Sequence, residues 1–388
     1  MRKITLIRGA RQLLTLRGPS GPRRGTDLRN LGIIQDGAVL IADGLIVEVG
    51  PSRRLENLAL ARGAEEIDAS GCVVLPGFVD SHMRVVGGVP GLARPIQEIS
   101  PRALETLAQR VVEEAVRNGT SAMEAKSGLG LTEAAELKIL RVHTELRELP
   151  LTFGSTFVAA GLPLELAERF LPMVRRRKLA EFAEIRWQEG TFTPAQVCRF
   201  LILARELGLG LKVSVGQHSN PGAIAMATEM GATSVNDVVN ITERDAMLLA
   251  QSETIATLSP AVPFDREAER FAPARMLIDQ GAAVAVASGC YSESAPSPNM
   301  QMTIVLACRA MNMSPAEAIA ASTINGAHAM RRARTVGSIE AGKSADLVIL
   351  GVPDYRELPY HLGVNLVSWV MIRGAVRVER SEVKWPIR

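Results

Sequence analysis

From Pro76 onward the chain repeats one pattern eight times: a short apolar run followed by a stretch with helical spacing. The runs lie at 77–81, 120–124, 151–158, 182–187, 211–215, 232–239, 254–258 and 283–287. A strand covered on both faces reads as a continuous apolar run. Alternation of such runs with helices is what a parallel sheet flanked by helices requires. Eight alternations over about 250 residues predict a closed (β/α)8 barrel. Several helices announce their ends. Thr193-Pro194-Ala195-Gln196 and Ser314-Pro315-Ala316-Glu317 are capping boxes with Pro in the first turn. Val197, Phe200, Leu201 and Ala204 then form one apolar helical face. Gly119 and Gly208 stop two helices.

The ends of the chain read differently. Residues 3–7, 37–41, 46–49 and 72–75 are strand-like before the barrel, and 345–350, 366–372 and 375–378 after it. Asp43-Gly44 and Arg373-Gly374 sit between strand pairs and predict hairpins, because such pairs tolerate positive φ. The expected fold class is α/β: a (β/α)8 TIM-like barrel over 76–334, plus a small composite β-sandwich domain formed by both termini, 1–75 and 335–388.

Charge and cysteine usage narrow the function. A net charge of +3 gives no electrostatic case for nucleic acid or a membrane surface. The one dense basic cluster, Arg175-Arg176-Arg177-Lys178, lacks an aromatic platform and reads as a solvated helix end. Cys72, Cys198, Cys290 and Cys308 are scattered, with no CxxC spacing, which argues against a zinc knuckle or a disulfide framework and favours the cytoplasm. The N-terminus lacks the apolar core of a signal peptide, and no apolar run is long enough to span a bilayer.

Particular segments carry a family resemblance. Pro76-Gly77-Phe78-Val79-Asp80-Ser81-His82 resembles the first barrel strand of the amidohydrolase superfamily, and Gly337-Ser338-Ile339-Glu340-Ala341-Gly342-Lys343-Ser344-Ala345-Asp346-Leu347 the segment that returns that family to its sandwich. Glu124-Ala125-Lys126-Ser127-Gly128-Leu129-Gly130-Leu131, Ser322-Thr323-Ile324-Asn325-Gly326-Ala327-His328-Ala329 and Asp354-Tyr355-Arg356-Glu357-Leu358-Pro359-Tyr360 are similar to imidazolonepropionases. The resemblance implies a homodimer. It also implies chemistry in which a divalent metal activates water to attack a cyclic amide carbon. The implied ligand positions carry other residues. The first strand ends His82-Met83-Arg84 rather than His-x-His, and Ser214, Asp237 and Gly289 stand where the resemblance implies His, His and Asp. Gly161 replaces a further active-site His, and the substrate loop after the first strand, around Gly87-Gly88-Val89-Pro90, is short. A guanidinium cannot ligate a metal and glycine has no side chain.

The other polar residues of the expected barrel mouth are Glu124, Lys126 and Gln217. Glu124 and Lys126 alternate along one strand and point the same way, so they either bind a polar ligand or form a structural ion pair. His82 reads as a hydrogen-bonded residue at the mouth. His143, His218, His328 and His361 read as structural or surface residues, and Cys290 as a small buried hydrophobe. Three functions remain open. The first expectation is a pseudoenzyme that has lost hydrolysis and binds a small polar ligand or a protein partner, with no cofactor. The second is an active hydrolase of non-peptide carbon–nitrogen bonds in cyclic amides with altered site chemistry; zinc or iron belongs only to this reading. The third is a structural subunit of a larger assembly.

Overall fold

The computed structural model describes residues 3–87, 95–160, 162–188, 190–215, 222–290, 295 and 297–379. The N-terminal part forms β1 (Ile4–Leu14), β2 (Ile33–Ala42), β3 (Leu45–Pro51), β4 (Glu65–Asp68) and β5 (Val73–Pro76). Eight parallel strands follow: β6 (Phe78–Met83), β7 (Thr120–Lys126), β8 (Thr152–Ala159), β9 (Phe182–Arg186), β10 (Gly210–Ser214), β11 (Ser234–Asn236), β12 (Ile255–Leu258) and β13 (Val284–Val286). The C-terminal part adds β14 (Leu347–Leu350), β15 (Val367–Ile372) and β16 (Ala375–Glu379).

The parallel strands pair in sequence order from β6 to β13. Main-chain bonds from Gly289 N to His82 O (3.0 Å) and from Arg84 N to Cys290 O (2.8 Å) then bring the last strand's extension against the first. The barrel expected from the eightfold alternation is therefore present, and its outer apolar faces meet the flanking helices. Val197, Phe200, Leu201 and Ala204 are all buried on the helix Pro194–Glu206, as their spacing predicts. That helix opens with the expected reciprocal cap between Thr193 and Gln196.

The strands from the two ends of the chain share one mixed sheet, ordered β16-β15-β14-β5-β1-β2-β3, with β4 on β1. Both expected hairpins are made. Asp43 and Gly44 have φ of 51° and 83°, Arg373 and Gly374 φ of 51° and 70°, the two consecutive positive values that a tight hairpin turn demands. The two turns abut: a Cβ on Gly374 would lie 2.8 Å from Gly44 Cα, and one on Gly44 would lie 2.7 Å from Arg373 O. Hairpins from opposite ends of the chain thus need glycine both for φ and for contact with one another.

The sixth barrel strand is shorter than its apolar run. Residues 232–239 read as one strand, but β11 covers Ser234–Asn236 alone. Asp237 turns into the left-handed region at φ 58°, which ends the extended backbone and sets its carboxyl at the barrel mouth.

Candidate active site in the barrel mouth

The lumen of this barrel is charged. Glu124 and Lys126 lie on β7, Glu184 on β9 and Lys212 on β10, each almost wholly buried. Lys212 Nζ donates to Glu124 Oε2 at 2.6 Å and to Ala329 O at 2.8 Å. Lys126 Nζ reaches Glu124 Oε1 at 3.2 Å and makes a very short contact with Glu184 Oε2. The strands β7 and β9, and β7 and β10, are not neighbours, so these bonds cross the interior. Hydroxyl and amide groups complete the ladder: Thr156 Oγ1 donates to Glu124 Oε1 (2.7 Å), Ser214 Oγ to Glu184 Oε1 (2.6 Å) and Asn236 Nδ2 to Glu184 Oε2 (3.1 Å). Burial alone would raise the Glu184 pKa, but the Lys126 charge and the hydrogen bonds it receives hold it at about 2. Burial lowers Lys212 to about 8 despite the opposing pull of Glu124. For Lys126 the two carboxylates outweigh burial and raise the pKa.

Glu124 and Lys126 thus form the ion pair that was one of their two readings, enlarged by Glu184 and Lys212. Neither of those two was singled out from the sequence. The signal was present: a charged residue in the middle of each apolar run, in Phe182-Ala183-Glu184-Ile185 and Leu211-Lys212-Val213. A charge inside a buried strand requires a partner in the lumen.

Above the ladder lie the residues at the implied ligand positions. His82 is buried, and its Nδ1 has no hydrogen-bond partner among the described residues. Burial, then the Lys126 charge, push its pKa well below the usual histidine value, so the imidazole is neutral. Arg84 is also buried; its Nε donates to Ser127 O at 3.1 Å. Burial and the neighbouring Arg186 lower its pKa to about 10, which leaves it charged at neutral pH, within the field of Glu184, Glu136 and Asp237. Glu124 is already occupied on both oxygens by the lysines and Thr156. Burial raises the Asp237 pKa, against the pull of Arg186. Asp80, one inward position below His82, accepts from Ser288 Oγ (2.5 Å), Ser288 N (3.1 Å) and His82 N (3.3 Å). Burial brings its pKa up to about 6. Glu136, also unforeseen, accepts from Gly128 N and Gly130 N and so shapes the loop after β7. Gln217, His218, Gly161 and residues 88–94 lie outside the described residues.

A catalytic zinc or iron needs about three deprotonated nitrogen, oxygen or sulfur ligands. Here Ser214 gives its hydroxyl to Glu184 and Arg84 puts a cation beside His82. Gly289 lacks a side chain and has no space for one: at φ 65°, a Cβ there would lie 2.6 Å from Val262 Cγ2 and 2.8 Å from Ser259 Cβ. Among the described residues no three His, Cys, Asp or Glu side chains gather to hold a metal ion. These residues do not fit one.

His143 and His328 are placed by packing. His143 is buried with Nδ1 2.9 Å from Ser155 Oγ, and His328 lines a cavity at the opposite end of the barrel. Cys290 is a free, buried thiol, as its apolar surroundings predict.

The sequence signature of the Amidohydrolase family matches residues 73–376. An imidazolonepropionase of Alkaliphilus metalliredigens (strain QYMF) is 34% identical over 97% of this chain and 99% of its own length. One from Geobacillus kaustophilus (strain HTA426) is 35% identical over 97% and 98%. Solved structures agree on the fold. An amidohydrolase from an environmental sample of the Sargasso Sea superposes with a TM-score of 0.73 at 20% identity, covering 97% of this chain and 93% of that one. An adenosine deaminase from Xanthomonas campestris with bound zinc gives 0.71 at 18%, with the same coverage. The full-length match to imidazolonepropionases overturns the expectation of a pseudoenzyme that has lost hydrolysis. That expectation rested on the replacement of the implied ligands by Arg84, Ser214, Asp237 and Gly289; Arg84, Lys126 and Lys212 nevertheless place cations in and below the site. In its motifs, its barrel and its full-length relatives, the chain belongs to the amidohydrolase family, among its imidazolonepropionase-like members.

Proposed function

We propose that the chain hydrolyses a carbon–nitrogen bond in a cyclic amide of the imidazolone type, with protein cations in place of a metal ion. The observation that carries this reading is the match at 34–35% identity across nearly the whole length of curated imidazolonepropionases. Attack of water on an amide carbon builds negative charge on the carbonyl oxygen. A buried guanidinium stabilises such charge strongly, because little solvent screens it. Arg84, held by Ser127 O, is that group in this reading. Asp237, at the end of β11, takes the proton from the attacking water and returns it to the departing ring nitrogen. The neutral imidazole of His82 offers a polar atom to the substrate. The charge ladder beneath keeps the floor of the site rigid and dry.

The test is hydrolysis of an imidazolone-type cyclic amide by the full chain after dialysis against a chelator, with metal content measured on the same sample. Turnover above the buffer rate should persist with well under one metal ion per chain, and Asp237→Asn should lower it by on the order of 100-fold, the usual contribution of a general base. No turnover by the chelated protein, with activity restored by one zinc per chain, would remove the protein-cation mechanism. No turnover under either condition would remove hydrolysis itself.

A further inference from the structure

A second cavity, of about 460 Å³, opens where the loop after β1 meets the segment 324–343. It lies at the N-terminal end of the barrel: Gly326 approaches Val79 on β6, and the Arg331 guanidinium carbon stands 5.6 Å from the ring centroid of Phe182, the first residue of β9. Barrel enzymes place their chemistry at the opposite end, so this cavity is separate from the mouth. Its volume falls in the range of small-molecule sites.

The charge of the cavity is one-sided. Arg23, Arg331, Arg334 and Lys343 line it, with Glu340 as the carboxylate among its lining residues. Glu340 is engaged already, by Lys343 Nζ at 3.2 Å and by Ser338 Oγ at 2.5 Å. Arg331 and Arg334 make no ion pair among the described residues. Arg23 is 3% exposed. Its backbone is clamped by Asn325, which accepts from Arg23 N at 2.7 Å and donates to Arg23 O at 2.9 Å, and its Nη2 donates to Leu16 O at 2.7 Å. Its Nε, fully buried, has no partner among the described residues. A buried, charged donor left without an acceptor is costly, and such groups call for an anion or water. Arg331 adds a second sign of selection for a side chain over backbone ease. It holds φ at 55°, in the position just beyond the helix Ile324–Ala329 where glycine is normally favoured.

We propose that this cavity binds a small organic anion through its carboxylate or phosphate oxygens, with Arg23, Arg331 and Arg334 as the binding cations. Guanidinium groups pair with either oxyanion in the same forked geometry. Arg23 is preset by Asn325 and Leu16, and Arg331 by the Phe182 ring, so little ordering is required on binding. His328, whose pKa burial lowers to about 4, contributes a neutral ring at physiological pH.

The test uses the full chain in titration calorimetry and thermal melts, at fixed ionic strength, with inorganic phosphate and citrate as probes and chloride as the control. At least one probe should bind saturably and raise the melting temperature while chloride does not. Saturation by citrate alone assigns a polycarboxylate ligand; saturation by phosphate alone assigns a phosphate ester. Arg331→Gln and Arg334→Gln, both at exposed positions that leave the fold intact, should each weaken binding about tenfold, the loss expected for one charge-assisted pair. Their melting temperatures without probe should match the parent's. Absence of saturable binding up to about 10 mM, where affinity is too weak to matter, would overturn the proposal. So would saturable binding that neither substitution alters.

Discussion

At the scale of single residues, buried charge dominates. Lys212 is fully buried and holds Glu124 and the carbonyl of Ala329. Replacing it with Met keeps most of its volume but strands the Glu124 carboxylate beside one lysine instead of two. Lys212→Met should therefore destabilise by roughly 3–5 kcal/mol in chemical denaturation. Adding Glu124→Gln should recover much of that loss, since removing both partners is far cheaper than removing one. Strictly additive losses would mean that the pair is not coupled. His143 gives a pH signature of its own. Burial, then the charge of Arg147, lower its pKa to about 3, so the folded protein keeps the ring neutral where the unfolded chain protonates it near 6.5. The unfolded state then binds more protons below pH 6.5, and stability falls as the pH falls. Between pH 7 and 5 this one residue should remove about 2 kcal/mol. His143→Gln, which can still bond Ser155, should flatten that part of the profile. An unchanged slope in the variant would show that other groups set it.

At the scale of elements, the link between β13 and β6 is the sensitive place. Gly289 N bonds His82 O, and the bulk of Val262 and Ser259 closes over the missing side chain. Gly289→Ala needs both a left-handed alanine and displaced neighbours, a combined cost on the order of 2–4 kcal/mol. Gly289→Asp carries the same burden, so restoring the carboxylate that the family resemblance implies there would not by itself rebuild a ligand set. A denaturation midpoint for Gly289→Ala equal to that of the parent would show that this link yields easily.

At the scale of the molecule, two β-rich ends are tied together over a barrel. β5 pairs with β14, in the register Val73–Leu350 to Pro76–Leu347, immediately before the chain enters β6. The barrel's first strand thus starts from an anchored position. The family resemblance carries the further expectation of a homodimer. Light scattering at micromolar concentration should give about twice the mass of one chain, and a monomer mass would count against it.

The (β/α)8 barrel, both hairpins and the capping boxes were legible in the sequence because each depends on local rules: apolar periodicity, positive φ at Asp43-Gly44 and Arg373-Gly374, and Ser or Thr three residues before Glu or Gln. The positions that the resemblance implies, His82, Arg84, Ser214, Asp237 and Gly289, all fall at or near the ends of their strands. What sequence order does not contain is which charges meet across a lumen. Glu124 and Lys212 are 88 residues apart and on strands that do not touch, yet their side chains meet at 2.6 Å. Barrel closure alone brings them together. Only the closed barrel, by excluding water, turns four charged side chains on three apolar strands into one coupled network.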